Sequence, residues 1–324
     1  MSTLNEIKKP VTDELDKFEV FFRETARSDV SLLNVVVNYM LRTKGKQIRP
    51  LFVFLSAKMH GEISKSTYVA ATTIELLHSA SLIHDDVVDE SYERRGVFSV
   101  GALWKNKIAV LMGDYLLSKG LLVSTSEKEY ETLDIISTSV KEMIEGELLQ
   151  FKKSRKLDID EESYLEIIKK KTASLIGTSM AVGANSVTKD QSVIERMKEI
   201  GILAGLAFQI KDDIFDYQDK GIIGKPTGND IKEKKITLPL IHVINNSSSR
   251  ERRRIINIVN RQNRRRDKVD ELIELVKKEG GIEYATQRMN DFSNEAKRLL
   301  ETFPPSEANN SLVELIDYII SRKK

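Results

Sequence analysis

All six prolines of this 324-residue chain stand at positions 10, 50, 226, 239, 304 and 305, which leaves residues 51–225 without one. Proline inside a helix removes a hydrogen bond and clashes with the turn before it, so this interval is open to long uninterrupted helices. It is rich in Leu, Ile, Ala, Glu and Lys, and its apolar residues recur at helical spacing. Ahead of it, "VTDELDKFEVFF" sets Val11, Leu15, Phe18 and Phe22 on one stripe. The pattern predicts helices near 31–43, 48–60, 65–90, 107–124, 129–152, 160–183 and 190–218, and another opening at about 309. Period-two alternation is scarce, so no strand is required. "KGIIGKPTGNDIKEKK" (220–235) is Gly-rich and polar and reads as a loop. Segments such as "IGILAGLAFQI" are apolar on more than one face and belong in the middle of a bundle. With no internal repeat beyond an acidic motif and no clean boundary, residues 1–324 are expected to form a single all-α domain.

Composition narrows the function. Hydrophobic residues make up 40% of the chain and charged residues 31%, enough for both a core and a soluble surface. The net charge of +2 argues against binding polyanions with the whole surface. The absence of cysteine excludes disulfides, Cys-type zinc sites and thiol nucleophiles, and fits a cytoplasmic protein. The first residues lack the apolar core of a signal peptide, and no continuous apolar run approaches a membrane span. The basic runs "NNSSSRERRR" and "RQNRRR" lack interleaved aromatics and read as solvated surface rather than a nucleic-acid site.

Two stretches depart from what folding alone favours. "LIHDDVVDE" gathers Asp85, Asp86 and Asp89, and "QIKDDIFDYQD" gathers Asp212, Asp213 and Asp216. Within each DDxxD triplet the three acids fall inside a ~100° arc of a helix. Like charges three or four apart cost a helix roughly 0.2–0.5 kcal/mol per pair. One such triplet could be solvated surface; two, each following an apolar run, point to cations. Mg²⁺ takes one or two carboxylates and completes its shell with water and substrate phosphates. The pair therefore suggests several Mg²⁺ ions gripping a phosphate.

Phosphate should also attract basic residues. "KGKQIRP" offers Lys46 and Arg49, "ERRG" offers Arg94 and Arg95, "KKKTASLIG" offers Lys171 and Thr172, and "GKPTG" and "EKKITLP" offer Lys225 and Lys235. Arginine reads phosphate bidentately and lysine acts as a point charge. His78 stands seven residues before Asp85, within about 20° on a helix, and Gln209 stands three before Asp212. His60 and His84 have no such support and are read as structural.

"DDVVD" followed by "RRG", then "FQIKDDIFD", with "GKQIRP" upstream and "KKKTA" between, resembles the trans-isoprenyl diphosphate synthases. The acidic motifs lie 127 residues apart, in order with the basic ones. The resemblance implies an isoprenoid synthase fold, a single large helical bundle around a central cavity, and usually a homodimer. It implies that an allylic diphosphate ionises and that isopentenyl diphosphate attacks the cation. It implies a metal-binding set of Asp85, Asp86, Asp89, Asp212, Asp213 and Asp216. Arg94, Lys171, Thr172, Gln209, Lys225 and Lys235 would hold the allylic substrate, and Lys46, Arg49, His78 and Arg95 isopentenyl diphosphate. The catalytic work would centre on the first triplet with Lys171, Asp212 and Lys225. The chain departs from similar proteins at Lys44-Gly45-Lys46-Gln47, where they often read Gly-Gly-Lys-Arg, and at Lys234, where they often have glycine. The second change is expected to alter the flexibility of that loop.

In this family, bulky residues four and five positions before the first motif tend to stop the growing chain. Here they are Ser81 and Ala80, both small, so a tail is expected to pass Leu77 towards Ile74, ~16 Å along the helix from Asp85. This points to a product of roughly C30–C45 that could be handed to a membrane, with a shorter C20 product left open. A terpene cyclase would share the aspartates but not the second phosphate site. A non-catalytic partner subunit would usually have lost one acidic motif.

Overall fold

The computed structural model describes residues 2–43, 45–94, 96–218 and 227–322. Lys225 and Arg95 lie outside the described residues. The chain is all-α. It opens with α1 (Leu4–Lys8), a 3₁₀ turn (Lys9–Val11), α2 (Thr12–Thr25), α3 (Ser31–Arg42), α4 (Ile48–His60) and α5 (Lys65–Val88). After a small hairpin come α6 (Val100–Ser126), α7 (Tyr130–Lys156), α8 (Glu161–Ile168), α9 (Ser174–Asn185) and α10 (Gln191–Phe215). Then follow α11 (Asn229–Lys232), α12 (Leu238–Asn246), α13 (Ser249–Arg261), α14 (Arg266–Lys278), α15 (Gly281–Leu300) and α16 (Glu307–Ser321).

Local chemistry sets several starts. Ser99 accepts the Ala102 N–H at 3.2 Å, Asp160 the Ser163 N–H at 2.8 Å and Asp190 the Ser192 N–H at 2.9 Å. Each side-chain oxygen satisfies one of the amide donors a helix start leaves unpaired. Thr237 precedes α12, whose Pro239 sits in the first turn, where its missing N–H costs nothing.

The apolar residues form two cores. One joins α1–α7, α9, α16, the first part of α10 and the end of α15 around Phe18, Phe52, Phe54, Ile74 and Met112. The other joins α8, the second part of α10 and α12–α15 around Tyr217, Leu238, Ile255 and Leu272. Helix α10 runs through both, as its multi-faced apolar sequence requires: Ile200 and Ala204 lie in the first core, Ala207, Ile210 and Ile214 in the second. Every residue of α9 is buried.

Four expectations need correction. The helix expected over 160–183 is interrupted by a π-helical turn at Lys169–Ala173. Its cause is close packing: a Cβ on Gly205 would lie 2.5 Å from the Ala173 Cα, and one on Gly146 would lie 2.9 Å from the Lys171 N. The turn is pinched between α10 and α7. Strands do occur, as the two-residue pair Glu93–Arg94 with Val97–Phe98, turned by Gly96 at φ +78°. Of the loop expected over 220–235, residues 220–226 lie outside the described residues and the rest contains the short α11. Finally, α6 is long and apolar enough on average to cross a membrane, with a mean hydropathy of 1.3 over its best window. Asp114 and Lys119 break its apolar runs, which is why run length misses it. Here it packs against α5, with Ala109, Met112 and Leu116 in the first core.

Candidate active site

Both DDxxD motifs sit where a helix ends. Asp85 and Asp86 are in the last turn of α5, and Asp89 caps it with its N–H bonded to the Asp85 carbonyl at 2.8 Å. Asp212 and Asp213 close α10, and Asp216 caps it. A helix C-terminus carries partial negative charge, so six carboxylates at two such ends concentrate negative potential.

Between these ends opens a cavity of about 1000 Å³. Its polar end is lined by Asp86, Arg94, Gln209, Asp212, Asp213 and Asp216, and its side by Lys46, Arg49 and His78. The rest is apolar, with Phe22, Val37, Met40, Leu82, Val100 and Leu116. Asp85, Asp89, Lys171, Thr172 and Lys235 do not line the cavity.

Each acid has distinct company. The buried Asp86 accepts from Arg94 Nε and a terminal guanidinium nitrogen, both at 2.8 Å. The hairpin places Arg94 there. Asp85 is held above the usual carboxylate range by burial, which Lys171 opposes and Glu147 and Asp89 reinforce. Asp213 accepts from Tyr164 Oη at 2.7 Å and Gln209 Nε2 at 2.8 Å. Thr172 Oγ1 donates to Gln209 Oε1 at 2.9 Å, so the π turn positions the amide that positions Asp213. In the same turn Lys171 Nζ meets Glu147 at 2.5 Å and Gln150 at 2.8 Å. π turns inside helices often mark functional sites. Asp216 accepts the backbone N–H groups of Asn229 and Asp230, each at 2.9 Å.

Burial pushes Asp213 up to about 7, although its hydrogen bonds pull it down; Asp212 and Asp216 push the same way as burial. Burial likewise raises Asp230 to about 8, with Asp213 and Asp216 adding to it. Burial also raises Asp212, opposed by Arg322. For Lys235, burial works against its charge, but Glu233, Asp230 and Asp89 outweigh it and raise its pKa. Lys235 thus senses both acidic regions.

These carboxyls fit a hard divalent cation. The donors are oxygens, Asp86, Asp212, Asp213 and Asp216 line the cavity, and burial raises the pKa of Asp85, Asp212 and Asp213. No three acidic, His or Cys side chains among the described residues form a ready cage. A divalent cation there would complete its shell with water and substrate phosphates.

The same burial gives a pH signature. Asp213 binds a proton in the folded state up to about pH 7, whereas an unfolded Asp releases it near ~4. Its contribution to stability is therefore full below about pH 4 and is lost as pH rises through about 7. In metal-free buffer, Tm is expected to decline from pH 5 to 8, less steeply in Asp213→Asn. Equal slopes in thermal melts of the two proteins would remove Asp213 as the cause.

Four further residues belong to the site. Tyr164 sits in an amphipathic run, where it looks like core. Asp230 lies in the same "GKPTGND" as Lys225 and was readable as a seventh acid. Glu147 had no distinguishing signal. Arg322 pairs with Asp212 and stacks 4.1 Å over Phe208, a contact across 110 residues that sequence cannot show. Lys46 lies 5.1 Å over the Tyr318 ring, so α16 closes the side holding Lys46 and Arg49. Of the residues expected to set chain length, Ile74 and Ala80 are fully buried, Leu77 is 9% exposed and Ser81 is partly buried. The cavity's α5 wall is instead Glu75, His78, Ser79, Leu82, Ile83 and Asp86. Lys234 adopts φ +59°, a left-handed conformation that costs a side-chain-bearing residue roughly 1–2 kcal/mol and costs glycine little. His60 meets the Phe303 ring edge-on and His84 contacts Asp114 at 3.6 Å, and neither histidine lines the cavity.

Known proteins carry the same architecture. The polyprenyl synthetase family model matches residues 30–276. Heptaprenyl diphosphate synthase component 2 of Bacillus subtilis is 34% identical over 97% of this chain and 89% of its own. A decaprenyl diphosphate synthase from Rhodobacter capsulatus superposes with a TM-score of 0.92 at 28% identity, over 99% of this chain and all of its own. A polyprenyl synthase from Caulobacter crescentus, solved with calcium and isoprenyl diphosphate, gives 0.91 at 29% identity over 99% and 98% of the two chains. With two acidic helix ends meeting at one cavity and the match spanning nearly every residue, this chain belongs to the polyprenyl synthetase family of trans-prenyltransferases.

Proposed function

We propose that the cavity condenses isopentenyl diphosphate head to tail with an allylic diphosphate and repeats the step to a product of roughly C30–C45, using Mg²⁺ in a homodimeric cytoplasmic enzyme. The observation that carries this reading is the cavity's division into an acidic and basic end and a long apolar remainder. Asp85, Asp86, Asp89, Asp212, Asp213 and Asp216 would hold the metal, which when bound supplies Lewis-acid stabilisation of charge on the leaving diphosphate. Arg94, Lys171, Thr172, Gln209, Lys225 and Lys235 would hold the allylic diphosphate. Lys46, Arg49, His78 and Arg95 would hold the second diphosphate, and the two reactants gain from proximity. Breaking the C–O bond leaves an allylic cation. The apolar wall of Val37, Met40, Leu82, Val100 and Leu116 keeps water from it. Attack by isopentenyl diphosphate forms the new C–C bond, and the proton then lost goes to the released diphosphate.

Labelled isopentenyl diphosphate with farnesyl diphosphate and Mg²⁺ is expected to give a C30–C45 ladder in mass spectra. No incorporation with any allylic primer would remove the reading. Two floors compete for length control. If the tail follows Ala80 and Ser81, Ser81→Phe shortens the product; if it follows the cavity wall, Ser79→Phe does. Unchanged products in both variants would place the floor on another helix of the cavity wall.

The homodimer has structural support. Ile144, Leu148 and Phe151 form one stripe on α7, and Leu111, Leu121 and Leu122 project from α6, each at least half exposed. Apolar faces of this extent usually meet a partner, and a two-fold interface would cover both copies at once. Sedimentation equilibrium returning the 36.9 kDa monomer mass at micromolar protein would remove the dimer.

A further inference from the structure

Eight arginines and one acid, Glu251, occupy the charged positions of residues 250–266. That stretch carries +7 while the whole chain carries +2, so the other residues are net −5. All eight arginines are exposed. Arg254 pairs with Glu251 and Glu271, Arg265 with Asp267 and Arg266 with Asp270. Arg250, Arg252, Arg253, Arg261 and Arg264 have no acidic partner among the described residues. On α13, Arg250, Arg253, Arg254 and Arg261 fall within about a 100° arc, opposite the buried Ile255, Ile258 and Val259.

The five arginines without an acidic partner contribute no ion pair to the fold. Arg250, Arg252 and Arg253 crowd the first turn of α13, where the helix end is already positive, and Arg266 opens α14 in the same way. Arg250 and Arg254 repel at the i,i+4 spacing. No aromatic residue occurs between 245 and 283, so the patch lacks the stacking surface that single-stranded nucleic acids use.

The patch adjoins the cavity. Lys234 Nζ donates to Asn260 at the end of α13 at 3.4 Å, and Asn263 donates to the Lys232 carbonyl at 2.5 Å. These contacts brace the same segment whose Asn229 and Asp230 line the polar end of the cavity. We propose that the exposed arginine face of α13 and the α13–α14 turn docks on an anionic lipid bilayer, setting the cavity beside the phase into which its product partitions. The reason for docking rests on the polyprenyl reading above, since a tail of thirty or more carbons has no stable place in water. The arginine fork matches lipid phosphate bidentately. A basic residue near an anionic surface strengthens attachment about fivefold, within a Debye length.

The test is co-sedimentation of the full chain, without substrate, with phosphatidylglycerol–phosphatidylcholine vesicles and with pure phosphatidylcholine vesicles. The triple variant R250Q/R253Q/R261Q is expected to bind the anionic vesicles about 100-fold more weakly than the native chain. The R250K/R253K/R261K variant, which keeps the charge, is expected to stay within a few-fold of native. Native binding should disappear at about 0.5 M salt. Equal binding by the glutamine variant, or equal binding to the uncharged vesicles, would overturn the proposal. So would tighter binding of transfer RNA than of anionic vesicles at the same salt, which would assign the patch to nucleic acid. Condensation of farnesyl and isopentenyl diphosphates in solution, read on the same samples, is expected to be unchanged. A chain that binds vesicles but condenses nothing removes the enzymatic reading alone, and one that condenses but ignores vesicles removes the docking alone.

Discussion

Asp86→Ala is expected to lower kcat/KM for condensation about 10³-fold with little change in Tm. The carboxylate faces the cavity wall, where charge on the departing diphosphate must be met. Loss of several kcal/mol of stabilisation there corresponds to about three powers of ten. Stability should change little because the partner left behind, Arg94, has 37% of its side chain exposed and can be solvated. Asp86→Asn keeps the shape and removes the charge, so it should lose nearly as much activity. Asp89→Ala, at an exposed cap, should lose less. Steady-state kinetics with farnesyl diphosphate as primer measure all three. An Asp86→Ala enzyme within tenfold of native would mean that this triplet does not hold the leaving group.

Gly205→Val is expected to destabilise the fold by about 3 kcal/mol and to abolish most activity in the protein that still folds. A Cβ at Gly205 would lie 2.5 Å from the Ala173 Cα and 2.8 Å from its Cβ. Backbone cannot step aside as a flexible side chain can, so α10 and the π turn would have to separate. That separation pulls Thr172 from Gln209, and Gln209 from Asp213, across hydrogen bonds now 2.9 and 2.8 Å long. Urea unfolding gives the stability change. A variant with native stability and native kcat/KM would show that close helix contact is not what aligns the second triplet. Ser174→Ala, which loses only a bond to the Lys170 carbonyl on the same helical run, is the milder control.

Local order was legible in the chain. Helices have a 3.6-residue period, and most of the expected ones appear within a few residues of their predicted bounds, since proline absence and apolar spacing act over short distances. The two DDxxD motifs were legible for the same reason: like charges at i, i+1 and i+4 conflict with local helix stability, and that conflict is visible without a fold. The family pattern then supplied basic partners by order along the chain. Contacts between distant segments were not legible. Nothing near Arg322 marks it as the partner of Asp212, because the pairing exists only once α16 crosses the end of α10. Tyr164 reads as core until Asp213 is brought 2.7 Å from its hydroxyl. The π turn depends on Gly205 and Gly146 approaching from two other helices, so residues 160–183 by themselves predict one continuous helix. Period and composition, which are properties of neighbours in sequence, fixed the helices and the acids; the company each acid keeps, and therefore its proton affinity, depended on which helix ends the packed bundle brought together and shut away from water.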